Sequence, residues 1–152
     1  MKTLYLDSSV LVAFLYEEPD QPERFRQIQQ LIMAIRDGTI QAVVSFYALP
    51  ELYGYVARHY PESEINSAFR LSLVELFSVP LIVAPFLDRE VLNRLRQQFT
   101  VADPDDARHV AVALSRKCDA IITFDHHFRQ VADLIPVYEP DAFFAALKSP
   151  NA

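Results

Sequence analysis

Short apolar runs alternate with longer helix-like segments along the whole chain, and this alternation limits the fold more than any other feature. Runs typical of buried strands lie at 3–6, 40–45, 80–86, 119–124 and 135–138. Segments typical of helices lie at 10–16, 22–38, 49–60, 61–77, 87–99, 106–117, 126–134 and 141–148. Alternating strands and helices form covered parallel sheets. The sequence therefore predicts one α/β domain over residues 1–148, with a central, mainly parallel, five-stranded sheet flanked by helices, and a tail at 149–152.

The bulk composition fits a globular domain that needs no disulfide. Of the 152 residues, 51% are hydrophobic and 22% are charged. The N-terminal apolar run is broken at Asp7, and no run reaches the roughly 18 residues of a membrane span, so we expect no signal peptide and no membrane. Cys118 is the single cysteine. An intramolecular disulfide is thus excluded, which agrees with the cytoplasmic location that we expect.

The net charge of −6 limits how the chain could bind nucleic acid. Proteins that grip nucleic acid mainly through phosphates are usually basic, because neutralising phosphates releases counterions. The charge argues against a broad electrostatic grip of this kind. It allows a small acidic metal site with basic residues around it, or a basic partner protein.

The stretch DPDDARHVAVAL, residues 103–114, has two interpretations. Asp103 can cap a helix, Pro104 suits its first turn, and Asp105 and Asp106 lie near its positive end. This interpretation explains all three aspartates without any function. In the other, at least one of them holds a metal ion.

Helix geometry separates these aspartates. An apolar stripe follows the spacing i, i+3, i+4, i+7 and consists of Ala107, Val110, Ala111 and Leu114. At about 100° per residue, Asp105 points nearly opposite the stripe and Asp106 lies at its edge. We therefore predict that Asp103 and Asp105 mainly serve the helix start and that Asp106 is the better ligand candidate.

Two further aspartates follow strand-like runs directly. Asp7 follows the first run, and Asp125 follows the fourth. Sites in open α/β sheets form beyond the carboxyl ends of the strands, which favours a functional role for both. Each could instead cap the next helix, and Ser8 or Ser9 could share that task after the first run.

The residue pattern around Glu51 does not favour a role in a site. It points away from the apolar stripe of its own helix and toward the side of Arg58, which favours a solvated side chain. Pro50 directly precedes it and limits where the helix can begin.

Four segments together resemble the PIN-domain ribonucleases: LYLDSSVLVAFL, LPELYGYVAR, DDARHVAVAL and AIITFDHHF. They occur in the order and rough spacing of that family, and the resemblance covers nearly the whole chain. The type closest in size is the VapC-like toxin of bacterial type II toxin–antitoxin pairs. The resemblance implies a parallel sheet flanked by helices and a metal-dependent endoribonuclease that hydrolyses RNA phosphodiester bonds.

The resemblance also implies the catalytic residues and metal ligands. The family has four acidic residues that serve as both, and the residues at these positions here are Asp7, Glu51, Asp106 and Asp125. Ser8 or Ser9 stands where the family has a Ser or Thr that supports the site. The implied cofactor is Mg²⁺ or Mn²⁺, hard cations that prefer oxygen ligands and relieve the repulsion between clustered carboxylates.

RNA contacts would come from few basic residues. Arg58 shares the helix face of Glu51, Arg108 and His109 follow Asp106, and His126 follows Asp125. Each could equally be a solvated surface side chain. We interpret Arg58, Arg108 and His126 as the candidate contacts. The resemblance implies two protein partners, a cognate antitoxin and a second copy in a homodimer.

A PIN-like module that binds RNA or protein, with weak or no nuclease activity, is the alternative. It remains open because Pro50 could displace Glu51. The presence of all four carboxylates favours the nuclease.

Overall fold

Five parallel strands form the centre of the protein. The computed structural model describes residues 1–148, so the expected tail at 149–152 lies outside the described residues. The strands are β1 (Lys2–Leu6), β2 (Ile40–Ser45), β3 (Leu81–Ala84), β4 (Ala120–Ile122) and β5 (Val137–Tyr138). Their order across the sheet is β3-β2-β1-β4-β5, and every neighbouring pair is parallel. The prediction of a mainly parallel five-stranded sheet is confirmed.

Helices connect the strands and cover both faces of the sheet. They are α1 (Ser8–Tyr16), α2 (Pro22–Arg36), α3 (Ala48–His59), α4 (Ile65–Leu76), α5 (Arg89–Arg96), α6 (Pro104–Ser115) and α7 (Pro140–Lys148). Short 3₁₀ helices lie at Glu62–Glu64 and His126–Val131. No helix within residues 1–148 is long and apolar enough to cross a membrane.

The alternation of side chains along β1 divides the core into two halves. Leu4 and Leu6 pack into one half, which α1 and α2 cover. Tyr5 points to the opposite face and packs into the other half with Val110 of α6 and with Phe128. Because β1 lies in the middle of the sheet, the side chains of Leu4, Tyr5 and Leu6 are fully buried.

Several segments differ from the sequence-based expectation. The helix expected at 87–99 is shortened to Arg89–Arg96, and the strand expected at 119–124 to Ala120–Ile122. The helix expected from Pro61 starts as a 3₁₀ turn, because the extended backbone of Pro61 (ψ 145°) lies outside the helix. The segment expected as a helix at 126–134 forms a 3₁₀ helix that Asp125 caps. The last strand, expected at 135–138, is reduced to two residues, since the Ile135 N–H already bonds to the carbonyl of Val131.

The parallel arrangement brings the carboxyl ends of all strands to one edge of the sheet. β1 is central: the chain adds β2 and β3 on one side of it and then crosses over to add β4 and β5 on the other side. This is the switch point at which open α/β sheets leave a crevice. Asp7 follows β1 at this point, Thr123 and Asp125 follow β4, and α3 begins shortly after β2.

Candidate metal centre

Asp7 lies at the centre of this edge and is almost completely buried, with 3% of its surface exposed. It caps α1, and its Oδ2 accepts hydrogen bonds from Ser9 N at 3.2 Å, Ser9 Oγ at 2.7 Å and Thr123 Oγ1 at 2.9 Å. Within residues 1–148, every hydrogen bond to this carboxylate goes to Oδ2. The capping interpretation is therefore correct for one oxygen, and Oδ1 is left for a ligand.

Thr123 joins Asp7 to the segment that carries Asp125. Its hydroxyl donates to Asp7 and accepts a hydrogen bond from Asp125 N at 2.8 Å. Asp125 Oδ1 in turn accepts from His127 N at 2.8 Å and lies 3.2 Å from His127 Nδ1. Asp125 thus also acts as a cap, and its position relative to Asp7 is fixed through one buried hydroxyl.

Asp106 lies at the start of α6, partly buried, while its neighbour Asp105 is exposed. Burial raises the pKa of Asp106, and the negative charges of Asp103, Asp125 and Asp7 raise it further, to about 6. Of these carboxylates, that of Asp125 offers a ligand atom within 4.8 Å of one from Asp106. The helix brings this side chain to the edge of the sheet, as its position beside the apolar stripe predicts.

Asp103 and Asp105 have the local roles expected of them. Asp103 caps α6 by accepting a hydrogen bond from Asp105 N at 2.7 Å. The Asp105 carboxylate pairs with Arg108 Nη1 at 2.6 Å, one helical turn later.

Glu51 reaches the site from the first turn of α3, which begins at Ala48 despite Pro50. A proline in a first turn removes no helical hydrogen bond, because the N–H groups there have no partner. Both carboxylate oxygens of Glu51 lie 3.1 Å from His109 Nε2. Burial alone would raise the pKa of Glu51, but hydrogen bonds from His109 and Ser8 and the charge of His109 lower it.

His109 is the side chain that sequence reasoning placed wrongly. It was considered as a surface cation beside RNA, yet only 1% of it is exposed. Its Nδ1 lies 2.6 Å from the Tyr5 hydroxyl, which donates to Ser45 Oγ at 2.8 Å. With that hydroxyl proton committed to Ser45, both imidazole nitrogens donate, one to Tyr5 and one to Glu51.

The charge of His109 follows from these contacts. Burial alone would lower its pKa, but the hydrogen bond to Glu51 and the charges of Asp7, Glu51 and Asp106 outweigh burial and raise it. The buried imidazolium therefore acts as the internal counterion of the acidic edge.

The two serines support different carboxylates. Ser9 donates to Asp7 and accepts a hydrogen bond from Phe124 N at 3.0 Å, so it also holds the end of β4. Ser8 hydrogen-bonds to Glu51. Thr123 was missed because a threonine at the end of an apolar strand fits strand propensity equally well. Its position two residues before Asp125 is the only signal of another role.

The candidate RNA contacts divide into two groups. Arg58 and Arg108 line an open groove of about 630 Å³ beside Glu51. His126 lines a separate pocket with Asp125 and Arg129. Their contact with RNA remains a prediction.

The side chains at this edge suit a divalent cation. Asp106, Asp125 and His127 each offer a ligand atom, and these atoms all lie within 4.8 Å of one another. Carboxylate oxygens are the ligands that Mg²⁺ and Mn²⁺ prefer, and a histidine nitrogen is better suited to Mn²⁺. A bound cation would also relieve the repulsion that raises the pKa of Asp106.

Comparison with solved structures finds the same fold in bacterial proteins. VapC20 of Mycobacterium tuberculosis, described as a sarcin-ricin loop cleaving toxin, matches with a TM-score of 0.64 and 16% identity over 88% of this chain and 98% of that chain. FitAcB from Neisseria gonorrhoeae matches with a TM-score of 0.61 and 20% identity over 90% and 97%. VapBC2 from Rickettsia felis, bound to a DNA fragment from its promoter, matches with a TM-score of 0.60 and 16% identity over 90% of this chain and 98% of that chain.

The sequence itself also matches a family. No curated protein matches the chain. Residues 3–127, however, match the PIN domain, and this range contains all four acidic candidates. The chain belongs to the PIN-domain family.

Proposed function

We propose that this protein is a Mg²⁺- or Mn²⁺-dependent endoribonuclease that hydrolyses RNA phosphodiester bonds as the toxin of a toxin–antitoxin pair. The convergence of Asp7, Asp106 and Asp125 at the carboxyl edge of the sheet carries this proposal. Asp7 and Asp125 follow the neighbouring strands β1 and β4, and Asp106 offers a ligand atom within 4.8 Å of one from Asp125. A cation that prefers oxygen would relieve the negative charge that raises the pKa of Asp106.

Each acidic residue has a distinct part in the proposed site. Asp7 offers Oδ1 from a rigid, buried position, while Asp106 and Asp125 complete the ligand set from α6 and the end of β4. A bound divalent ion would supply a hydroxide nucleophile and stabilise the charge that develops on the phosphate. Glu51, held by His109, is the fourth acidic group of the site and faces the adjoining groove.

Asp106 could also accept a proton during the reaction. The pKa of the Asp106 carboxyl, about 6, is close to neutral pH, which suits a general base acting on a water molecule.

The proposed partners rest on the structural neighbours. VapC20 is described as a toxin, which, with the family resemblance, supports an antitoxin as the partner of this chain. We extend the proposal to a homodimer, as the family resemblance implies. An alternative function, a module that binds RNA or protein without cleavage, is favoured by one observation: Glu51 is engaged by His109 and so is less available to a metal.

RNA cleavage by the purified protein tests the proposal. The substrate is a mixture of structured and single-stranded RNAs, incubated with Mn²⁺ or with EDTA. We expect cuts with Mn²⁺ that EDTA and Asp7→Asn abolish. Asp133→Asn, which removes an exposed carboxylate outside the site, should cut like the wild type. Absence of cleavage together with unchanged Mn²⁺ affinity in Asp7→Asn would favour the binding module.

A further inference from the structure

The groove beside Glu51 combines aromatic rings with basic side chains. Phe86, just after β3, is 58% exposed, and Tyr47 lies at the start of α3. Their ring centroids are 4.9 Å apart in an edge-to-face arrangement. Phe46 is 38% exposed and packs against Phe86 at 5.8 Å. Contiguous apolar patches of this kind, unlike single exposed residues, often mark interaction sites.

The ring of Phe86 is held in place rather than free to move. The Tyr47 hydroxyl accepts a hydrogen bond from Leu87 N at 3.2 Å, which fixes the backbone next to Phe86. With Tyr47 against its edge and Phe46 beside it, Phe86 presents a pre-arranged apolar surface to the groove. A rigid aromatic surface loses little conformational entropy on binding a flat ligand.

The charges that line the groove leave one cation available. Asp105 pairs with Arg108 at 2.6 Å, and Glu51 contacts His109 at 3.1 Å. Arg58, in contrast, forms no ion pair with any residue from 1 to 148. Although the formal charges of the lining balance, the groove thus presents a guanidinium that has no carboxylate partner among these residues.

Gly54 makes room for this cation. It lies in the interior of α3, where glycine is less favourable than alanine by about 1 kcal/mol. A Cβ at this position would lie 3.3 Å from Arg58 Nη1, which is closer than ordinary contact allows. The missing side chain thus lets the guanidinium lie against the helix and face the groove.

We infer that this groove binds an unpaired RNA nucleotide next to the scissile phosphate, with the base stacked on Phe86 and the neighbouring phosphate held by Arg58. The inference rests on the proposed nuclease function, since Glu51 joins the groove to the acidic edge. Bases offer their faces only where RNA is single-stranded or unstacked. Stacking on an aromatic ring tolerates any base, so the groove selects unpaired RNA rather than a particular sequence.

Binding of a single-stranded RNA oligonucleotide that carries 2-aminopurine tests the inference. Asp7→Asn serves as the background for every variant, so the measurement does not depend on cleavage. Phe86→Leu should weaken binding by about 5- to 100-fold and abolish the fluorescence quenching that stacking causes. Phe86→Tyr, which keeps the ring, should restore both. Phe77→Leu removes an equally exposed phenylalanine outside the groove and should change neither.

The salt dependence of binding tests the role of Arg58. Loss of one phosphate contact to single-stranded RNA should reduce the slope of log K against log salt by about 0.7 in Arg58→Gln. Arg70→Gln, on the exposed surface of α4, should leave the slope unchanged. Phe86→Leu should lower the affinity without changing the slope, because stacking releases no counterions.

Two results would overturn the inference. The first is unchanged RNA affinity and quenching in Phe86→Leu. The second is a change of oligomeric state in this variant by light scattering with no effect on RNA, which would assign the groove to a second copy of the chain. Neither result depends on whether the wild type cleaves RNA, so failure of this inference is distinct from failure of the proposed nuclease.

Discussion

The Nε2 atom of buried His109 lies 3.1 Å from both carboxylate oxygens of Glu51, and this contact joins α6 to α3. Its other nitrogen contacts Tyr5 of the central strand. One side chain therefore connects the sheet, the helix that carries Asp106 and the helix that carries Glu51. The acidic edge depends on this connection for both its geometry and its charge balance.

Replacement of His109 by leucine should destabilise the metal-free protein by about 2–4 kcal/mol, because Glu51 and the Tyr5 hydroxyl both lose their partner. The measurement is urea denaturation in EDTA. The loss should be smaller when Glu51→Gln is already present, with a coupling energy of at least about 1 kcal/mol. Additive effects of the two substitutions would contradict the ion pair.

The same pair predicts how stability depends on pH. The pKa of His109 is raised above its ordinary 6.5, so its contribution is complete below that value and is lost as the pH rises through the raised pKa. The pKa of Glu51 is lowered from 4.5, so its contribution is lost as the pH falls through the lowered pKa. The difference in the free energy of unfolding between wild type and His109→Leu should therefore be largest between pH 4.5 and pH 6.5. Denaturation curves across pH 4–9 measure it, and a difference that grows above pH 8 would contradict the charged pair.

Asp106→Asn should stabilise the metal-free protein at neutral pH. The pKa of Asp106 is raised from 3.8 to about 6, so the folded state holds its proton more tightly than the unfolded chain, and stability falls as the pH rises between these values. Because the carboxylate is partly exposed, screening reduces the gain to about 1 kcal/mol. The gain should disappear below pH 3.8. Thermal melts in EDTA provide the measurement, and equal melting temperatures at pH 8 would show that the carboxylates do not repel.

Thr123→Val should weaken Mn²⁺ binding by about 10- to 100-fold, although threonine and valine have the same shape. The hydroxyl both donates to Asp7 Oδ2 and accepts from Asp125 N, so its loss frees two candidate ligands. Calorimetric titration with Mn²⁺ measures the effect. Thr123→Ser keeps the hydroxyl and should recover most of the affinity; an equally weak serine variant would instead indicate that the methyl group and packing matter.

The fold and the positions of Asp7, Asp106 and Asp125 in it could be predicted because they follow from local patterns, whereas Glu51 was implied only by the family resemblance. The apolar runs and their spacing predict the strands, and Asp7 and Asp125 follow two of these runs directly. The exposure of Asp105 and the partial burial of Asp106 agree with helical periodicity. The all-parallel arrangement follows from the regular alternation of strands with helices.

The position of His109 could not be predicted because α6 does not have one apolar face. From Ala107 the helix is buried on nearly every side, including at Val112 and Ala113. A single stripe drawn through such a helix does not show which polar side chain enters the protein. The partners of His109 lie 58 and 104 residues away in sequence, so only the folded chain brings them together.

The rate of RNA cleavage in a single turnover, measured over a range of Mn²⁺ concentrations, tests the central claim most directly. The claim is that the carboxylates at the carboxyl edge of the sheet hold the ion that cleaves RNA. Asp106→Asn should lower the rate at subsaturating Mn²⁺ by more than about 100-fold, and Asp133→Asn should leave the whole curve unchanged. A curve for Asp106→Asn that coincides with the wild type would contradict the account.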